Sequence, residues 1–143
     1  VSGSILQTSY QQDFFTFWNE ARASNDVAPL SAIDPLLMPR AALPYLSMMD
    51  HCPETGRFRI RLSGDAVKSA QGVNYKGRFI DEIDGFEKPM ERFRWCVETR
   101  QPYWAEAPLS FSPKTFKRYT VLGLPFADPD EAVRRLIFVF TFS

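Results

Sequence analysis

Between Arg57 and Gly77 the spacing of apolar positions changes twice. Phe58, Ile60 and Leu62 alternate with Arg57, Arg59 and Arg61, the period of two of a strand with one face on a core and one in water. Gly64 ends that strand. From Asp65 the apolar positions become Ala66, Val67 and Ala70, a brief helical stripe that Gly72 closes in a left-handed cap before Gly77 allows another unusual turn. Upstream, Asp13 is a good N-cap, and Phe14, Phe17, Trp18 and Ala21 follow the i, i+3, i+4, i+7 spacing of an amphipathic helix over residues 13–23, with Phe15 at its edge. So aromatic a helix must lie on the body of the domain, on a second copy, or on both.

Residues 29–44 hold four prolines, Pro29, Pro35, Pro39 and Pro44, each of which blocks a continued helix or a central strand. Short helical turns are expected, with Asp34 capping one that starts at Pro35. Residues 45–50 read as a strand whose alternation is blurred at Met48-Met49, and the turn-rich link 51–56 leads into the arginine-bearing strand as a hairpin. Beyond Gly77, Phe79, Ile80 and Ile83 suit one helical turn. A longer helix follows, with Pro89 in its first turn and Phe86, Met90, Phe93 and Val97 on one stripe. Trp95 points away from it.

Three more strands are expected at 102–111, 119–125 and 136–142, separated by turns at 112–114 and 127–130. The last reads LIFVFTF, apolar on both faces, which places it in the middle of a sheet with one face under the N-terminal helix. The expected fold class is α+β, with about five antiparallel strands, short helices on one face and an N-terminal amphipathic helix.

The order of these elements, with the residues around them, resembles a PAS domain. More narrowly, WNEAR from Trp18, the proline-rich lead-in with Pro39-Arg40 and Leu43-Pro44, then FRIRLSG from Phe58, GVNYKGR from Gly72 and RQPY from Arg100 resemble a family of small stand-alone bacterial PAS-type proteins, found mainly in alphaproteobacteria. The resemblance spans Phe14 to Phe142. It implies a curved sheet with the C-terminal strand central, helices over one face, a role in sensing or protein association, and no catalytic residues. Flavin-binding light sensors of the PAS group carry an adduct-forming cysteine where this chain has Gly72-Val73-Asn74-Tyr75-Lys76-Gly77. Haem-binding sensors use a ligand such as histidine, and His51, the one histidine, falls in the expected 51–56 turn. No cofactor is therefore expected.

Composition narrows the function further. At 143 residues, 45% hydrophobic and 15% aromatic, the chain suffices for one well-buried core, expected over residues 13–143 after a flexible segment 1–12. It begins at Val1 with small polar residues, which reads as an expression remnant or a truncated start. Seventeen basic residues balance seventeen acidic ones, against a nucleic-acid partner. Cys52 and Cys96 have no framework spacing and read as free thiols in a reducing compartment. No apolar run is long enough to span a bilayer and no signal-peptide pattern occurs, so a cytoplasmic location without membrane attachment is expected.

Every candidate for chemistry has a plainer reading beside it. Arg57, Arg59 and Arg61 suit bidentate grip of a phosphate or carboxylate, but the favoured reading is the protection of an edge strand. His51 with Cys52 lacks the rest of a metal-ligand set, and Asp81, Glu82 and Asp84 lack the alternation of a calcium loop. Cys96 near Arg92 and Arg100 is either an activated thiol or a packing residue. No serine, cysteine or threonine pairs with a base, so no enzyme is expected. Two function classes remain. One is a sensor for a small apolar or aromatic molecule, its pocket lined by Phe79, Met90, Phe93, Val97, Tyr103, Tyr119, Phe138 and Phe140. The other is a ligand-free interaction module that forms a homodimer, or binds a signalling protein, through Phe14, Phe15, Phe17 and Trp18, with Trp95 as a further contact.

Overall fold

The doubly apolar segment near the C-terminus is the middle of the sheet. In the computed structural model, which describes residues 8–108 and 118–143, β5 (Arg135–Phe142) is flanked by β1 (Leu46–Cys52) and β4 (Arg118–Phe126), and β2 (Arg57–Ser63) and β3 (Tyr103–Pro108) form the edges. The strand order is β2-β1-β5-β4-β3, with every neighbouring pair antiparallel. Leu136, Ile137, Phe138 and Val139 are all buried, as a strand covered on both faces requires. The final part of the expected strand 102–111 and the turn 112–114 lie outside the described residues.

β1 and β2 form the expected hairpin. His51 and Cys52 belong to β1 rather than to the turn, because His51 Nδ1 lies 2.7 Å from the Val133 carbonyl and its ring packs 4.9 Å from that of Phe58. The blurred alternation at Met48-Met49 coincides with a register shift: Met48 faces Leu62 but Met49 faces Ile60, leaving Arg61 as the extra residue of a bulge.

Helix α1 (Ser9–Arg22) starts four residues before Asp13, because the Thr8 hydroxyl accepts the Gln11 N–H and caps it. Residues 9–12 are thus helical, and Gln11 is fully buried. Helix α2 (Asp65–Gln71) ends at Gly72 with φ of 78°, a left-handed position that favours glycine. Helix α3 (Glu87–Thr99) has Pro89 in its first turn. The proline-rich segment forms 3₁₀ turns at Leu30–Ala32 and Arg40–Tyr45, and Asp34 caps a further turn by accepting the Leu36 N–H at 2.9 Å. A short 3₁₀ turn at Ile80–Glu82 follows α2.

Strand register separates the two faces of the sheet. Val121 faces Phe140 and Gly123 faces Phe138, on the side where α2 and α3 lie. Thr120 faces Thr141 and Leu122 faces Val139 on the other side. There α1 lies with Phe14 and Trp18 in the core, its Gln11 amide donating to Thr120 Oγ1 at 3.3 Å and to the Val139 carbonyl at 2.9 Å. Trp18 Nε1 donates to the Pro125 carbonyl at 2.8 Å. These bonds satisfy the polar atoms that burial of an aromatic helix would otherwise strand.

Candidate functional site: a cavity under helix α3

Helices α2 and α3 do not close tightly on the sheet. Between them and its inner face lies a cavity of about 610 Å³, within the range of small-molecule sites. Five of the eight residues expected at a pocket line it: Phe93 from α3, Tyr103 from β3, Tyr119 from β4, and Phe138 and Phe140 from β5. Alternation along the strands puts these rings on one face. They form a continuous aromatic surface, with ring centroids 4.9 Å apart for Phe93 and Phe138, 5.8 Å for Tyr119 and Phe140, and 6.5 Å for Phe138 and Phe140.

Phe79, Met90 and Val97 do not line the cavity. Phe79 is drawn to the sheet edge, where it forms a β-bridge with Arg59 and its ring lies 3.8 Å beneath the Arg57 guanidinium. Met90 and Val97 pack on the flank of the core, because α3 turns Pro89, Arg92 and Phe93 toward the cavity and buries Cys96 beside them. That face also follows i, i+3, i+4, i+7 spacing, with an arginine where a purely apolar stripe has none. Sequence reasoning also missed Met49, Ile60, Val67, Ala70, Gln71, Tyr75, Phe86 and Val121. Of these, Met49 and Val121 follow from alternation once Phe138 and Phe140 fix the inner face.

Gly123 shapes one wall. It pairs across the strands with Tyr103, and any side chain at 123 would run into the Tyr103 ring. The tyrosine ring therefore packs against bare backbone.

The lining is mainly apolar, with four charged residues. Asp84, Glu87 and Lys88 are exposed at the rim, and Arg92 is half-buried. Arg92 donates to the Tyr119 hydroxyl at 3.1 Å. Its Nε is shielded from solvent without a hydrogen-bond partner, and so is the Gln71 side-chain oxygen, which also belongs to the lining. Burial pushes the Tyr103 hydroxyl well above its usual pKa, with Cys96 adding to the shift and Arg92 opposing it. It stays a neutral O–H at ordinary pH. Burial likewise raises the Cys96 thiol, leaving it protonated and inert.

The other candidates are engaged elsewhere. Arg57 forks onto Asp81 at 2.9 Å and reaches Glu82 at 2.9 Å, and Arg61 pairs with Asp50 at 3.2 Å. The Arg57 bond holds the Asp81 carboxyl below its usual pKa. β2 is an edge strand, so this row covers a sheet edge with charge. Cys52 donates to Glu54 at 3.2 Å. Among the described residues no three His, Cys, Asp or Glu side chains are placed to hold a metal ion, and no helix is long and apolar enough to cross a membrane. A second cleft of about 440 Å³ lies between residues 25–29 and 127–132. It is polar, and Arg100 crosses it to bind Asp26 at 2.7 Å and the Glu131 carbonyl at 2.8 Å.

Of the residues expected at a dimer interface, Phe14 and Trp18 are interior, with exposures of 0% and 3%, whereas Phe15 and Phe17 are half-buried. Trp95 is 44% exposed.

A five-stranded antiparallel sheet with the C-terminal strand central, short helices and a cavity over one face, and an N-terminal helix on the other defines a PAS-like α+β fold. No family model matches the chain, and no curated protein does. Among solved structures the chain is similar to the PAS domain of BvgS from Bordetella pertussis, at 17% identity and a TM-score of 0.40, over 68% of this chain and 72% of that one. At that distance it is the strand order, not the likeness, that carries the fold.

Proposed function

We propose that the chain is a non-catalytic sensory or regulatory module of bacterial signalling, acting in the cytoplasm, whose inner cavity takes a small, mainly apolar or aromatic molecule. The supporting observation is the space itself. A helix whose only role was to complete a core would close onto the sheet, since voids forfeit dispersion contacts and destabilise the fold. Here the space of about 610 Å³ is floored by rings from three strands. The direct test is untargeted mass spectrometry of small molecules released from protein purified under native conditions. A stoichiometric apolar or aromatic compound is expected. Protein that is empty, and that no apolar compound stabilises in a thermal-shift screen, overturns the reading. The preparation is expected to be colourless, because the chain carries neither a flavin-adduct cysteine nor a haem-ligand histidine over the cavity.

A second reading, a ligand-free dimerisation module, is favoured by one observation. Helix α1 keeps Phe15 and Phe17 half-exposed beside its buried residues, an apolar strip that a two-fold dimer could bury against its own copy. Light scattering across a concentration series decides it: Phe15→Ser with Phe17→Ser should shift a dimer to monomer without unfolding it.

A further inference from the structure

The cavity contains an unpaired cation. Among the described residues no carboxylate lies within ion-pair distance of Arg92, whose guanidinium donates to the Tyr119 hydroxyl and also acts on the Tyr103 hydroxyl, neither of them a counterion. Residues 1–7 and 109–117 contain neither aspartate nor glutamate. A half-buried guanidinium in an aromatic setting, with one N–H shielded from water and bonded to nothing, carries a desolvation cost that a neutral hydroxyl offsets only in part. Among the described residues Arg57, Arg61, Arg100, Arg118 and Arg135 each pair with a carboxylate, and the other arginines without such a partner are exposed, apart from Arg22, which bonds the Asn19 side chain and the Asn25 carbonyl in solvent. Two neutral hydroxyl donors stand by, on Tyr119 and on Tyr103, and Gln71 contributes an unpartnered amide oxygen to the same lining.

We infer that the occupant of this cavity is an amphipathic carboxylate, an aromatic or medium-chain acid, whose carboxylate pairs with Arg92 while its apolar body lies on the Phe138 and Phe140 rings. The inference deepens the sensor reading and rests on it. A guanidinium presents parallel N–H groups that fit a carboxylate bidentately, and the Tyr119 bond already holds one of its Nη atoms on the cavity side. An uncharged ligand of the same shape would fill the aromatic part and leave the cation as it is.

The test uses a matched pair of probes, 6-phenylhexanoate and 6-phenylhexan-1-ol, titrated calorimetrically into the whole chain and into Arg92→Met. The wild type is expected to bind the acid tighter than the alcohol by about tenfold or more, as for a hydrogen bond to a charged group. Arg92→Met should erase that preference and keep alcohol binding. Arg94→Met, which removes an exposed charge of the same helix outside the lining, should leave the preference intact. Should Arg92→Met fail to fold by circular dichroism, Arg92→Lys replaces it, with the preference reduced. Equal binding of acid and alcohol to the wild type, or an acid preference that survives in Arg92→Met, overturns the inference and leaves the sensor reading standing. Failure of both probes to bind at millimolar concentration counts against both.

Discussion

The two faces of the sheet treat buried polarity in opposite ways. On the outer face, α1 brings a glutamine and an indole into the core and gives each a partner at once: Gln11 reaches Thr120 and Val139, and Trp18 reaches Pro125. On the inner face, α2 and α3 leave the Gln71 oxygen and Arg92 Nε unpartnered around an open cavity. The outer face also has one stranded atom, Trp104 Nε1, on edge strand β3. A fully bonded interface gives stability and one arrangement; an incompletely bonded one holds open a place for a molecule that brings the missing groups.

The largest effect that would test this contrast is on the outer face. Trp18→Ala removes an almost fully buried indole and strands the Pro125 carbonyl, so it should cost about 3–5 kcal/mol in urea unfolding. A loss below about 1 kcal/mol would mean that α1 is not part of the core. Next comes a matched pair of polar deletions. Gln11→Leu should cost about 1–3 kcal/mol, because the Val139 carbonyl loses its donor in the interior. Arg92→Met should leave unliganded stability unchanged or raise it by up to about 1 kcal/mol, because it removes a cation without a counterion. Equal losses for the two would erase the distinction between the faces.

A smaller effect is confined to alkaline solution. Burial holds the folded Tyr103 pKa above its unfolded value of 10.0. The stability linked to that hydroxyl is complete below pH 10 and is lost as pH rises through the folded pKa. Tyr103→Phe should therefore lose less stability than wild type between pH 9 and 11, measured by denaturant unfolding. The smallest effect lies away from both faces. Arg100 holds the Asp26 carboxyl below its ordinary value of 3.8. The linked stability is complete above pH 3.8 and fades as pH falls through the folded pKa. Asp26→Asn should flatten that acid limb slightly, less so in high salt, as for any exposed pair.

Most of the fold was legible in the sequence because its strands differ in exposure. Alternation marked β2, whose arginines face solvent, and the unbroken apolar run marked β5 as central. The start of α1 was hidden because Gln12 and Asp13 are exposed and Gln11, though polar, is buried. Its burial depends on Thr120 and Val139, more than a hundred residues away, and no local window contains that information. In the site, the strand aromatics were legible from alternation. The helix contribution was displaced by one position on the α3 stripe, because the expected stripe followed the large apolar residues Phe86, Met90, Phe93 and Val97, whereas the face on the cavity includes Pro89 and Arg92. Phe79 was lost to the cavity because the guanidinium that captures it comes from another strand. The register shift at Met48-Met49 left a visible trace in the sequence, while its cause, the bulge at Arg61, lies on the partner strand.

The hydrogen bonds of α1 also bear on how an event in the cavity would travel. Val139 stands between Phe138 and Phe140, whose rings form part of the cavity floor, and its carbonyl accepts Gln11 at 2.9 Å, while the Phe140 carbonyl accepts the Tyr10 hydroxyl at 2.8 Å. β5 is therefore a plank with a load on one side and a handle on the other. Lifting or tilting those rings would pull on the peptides that the helix holds, through only the Gln11 and Tyr10 side chains. The distance from stimulus to lever is the thickness of one strand.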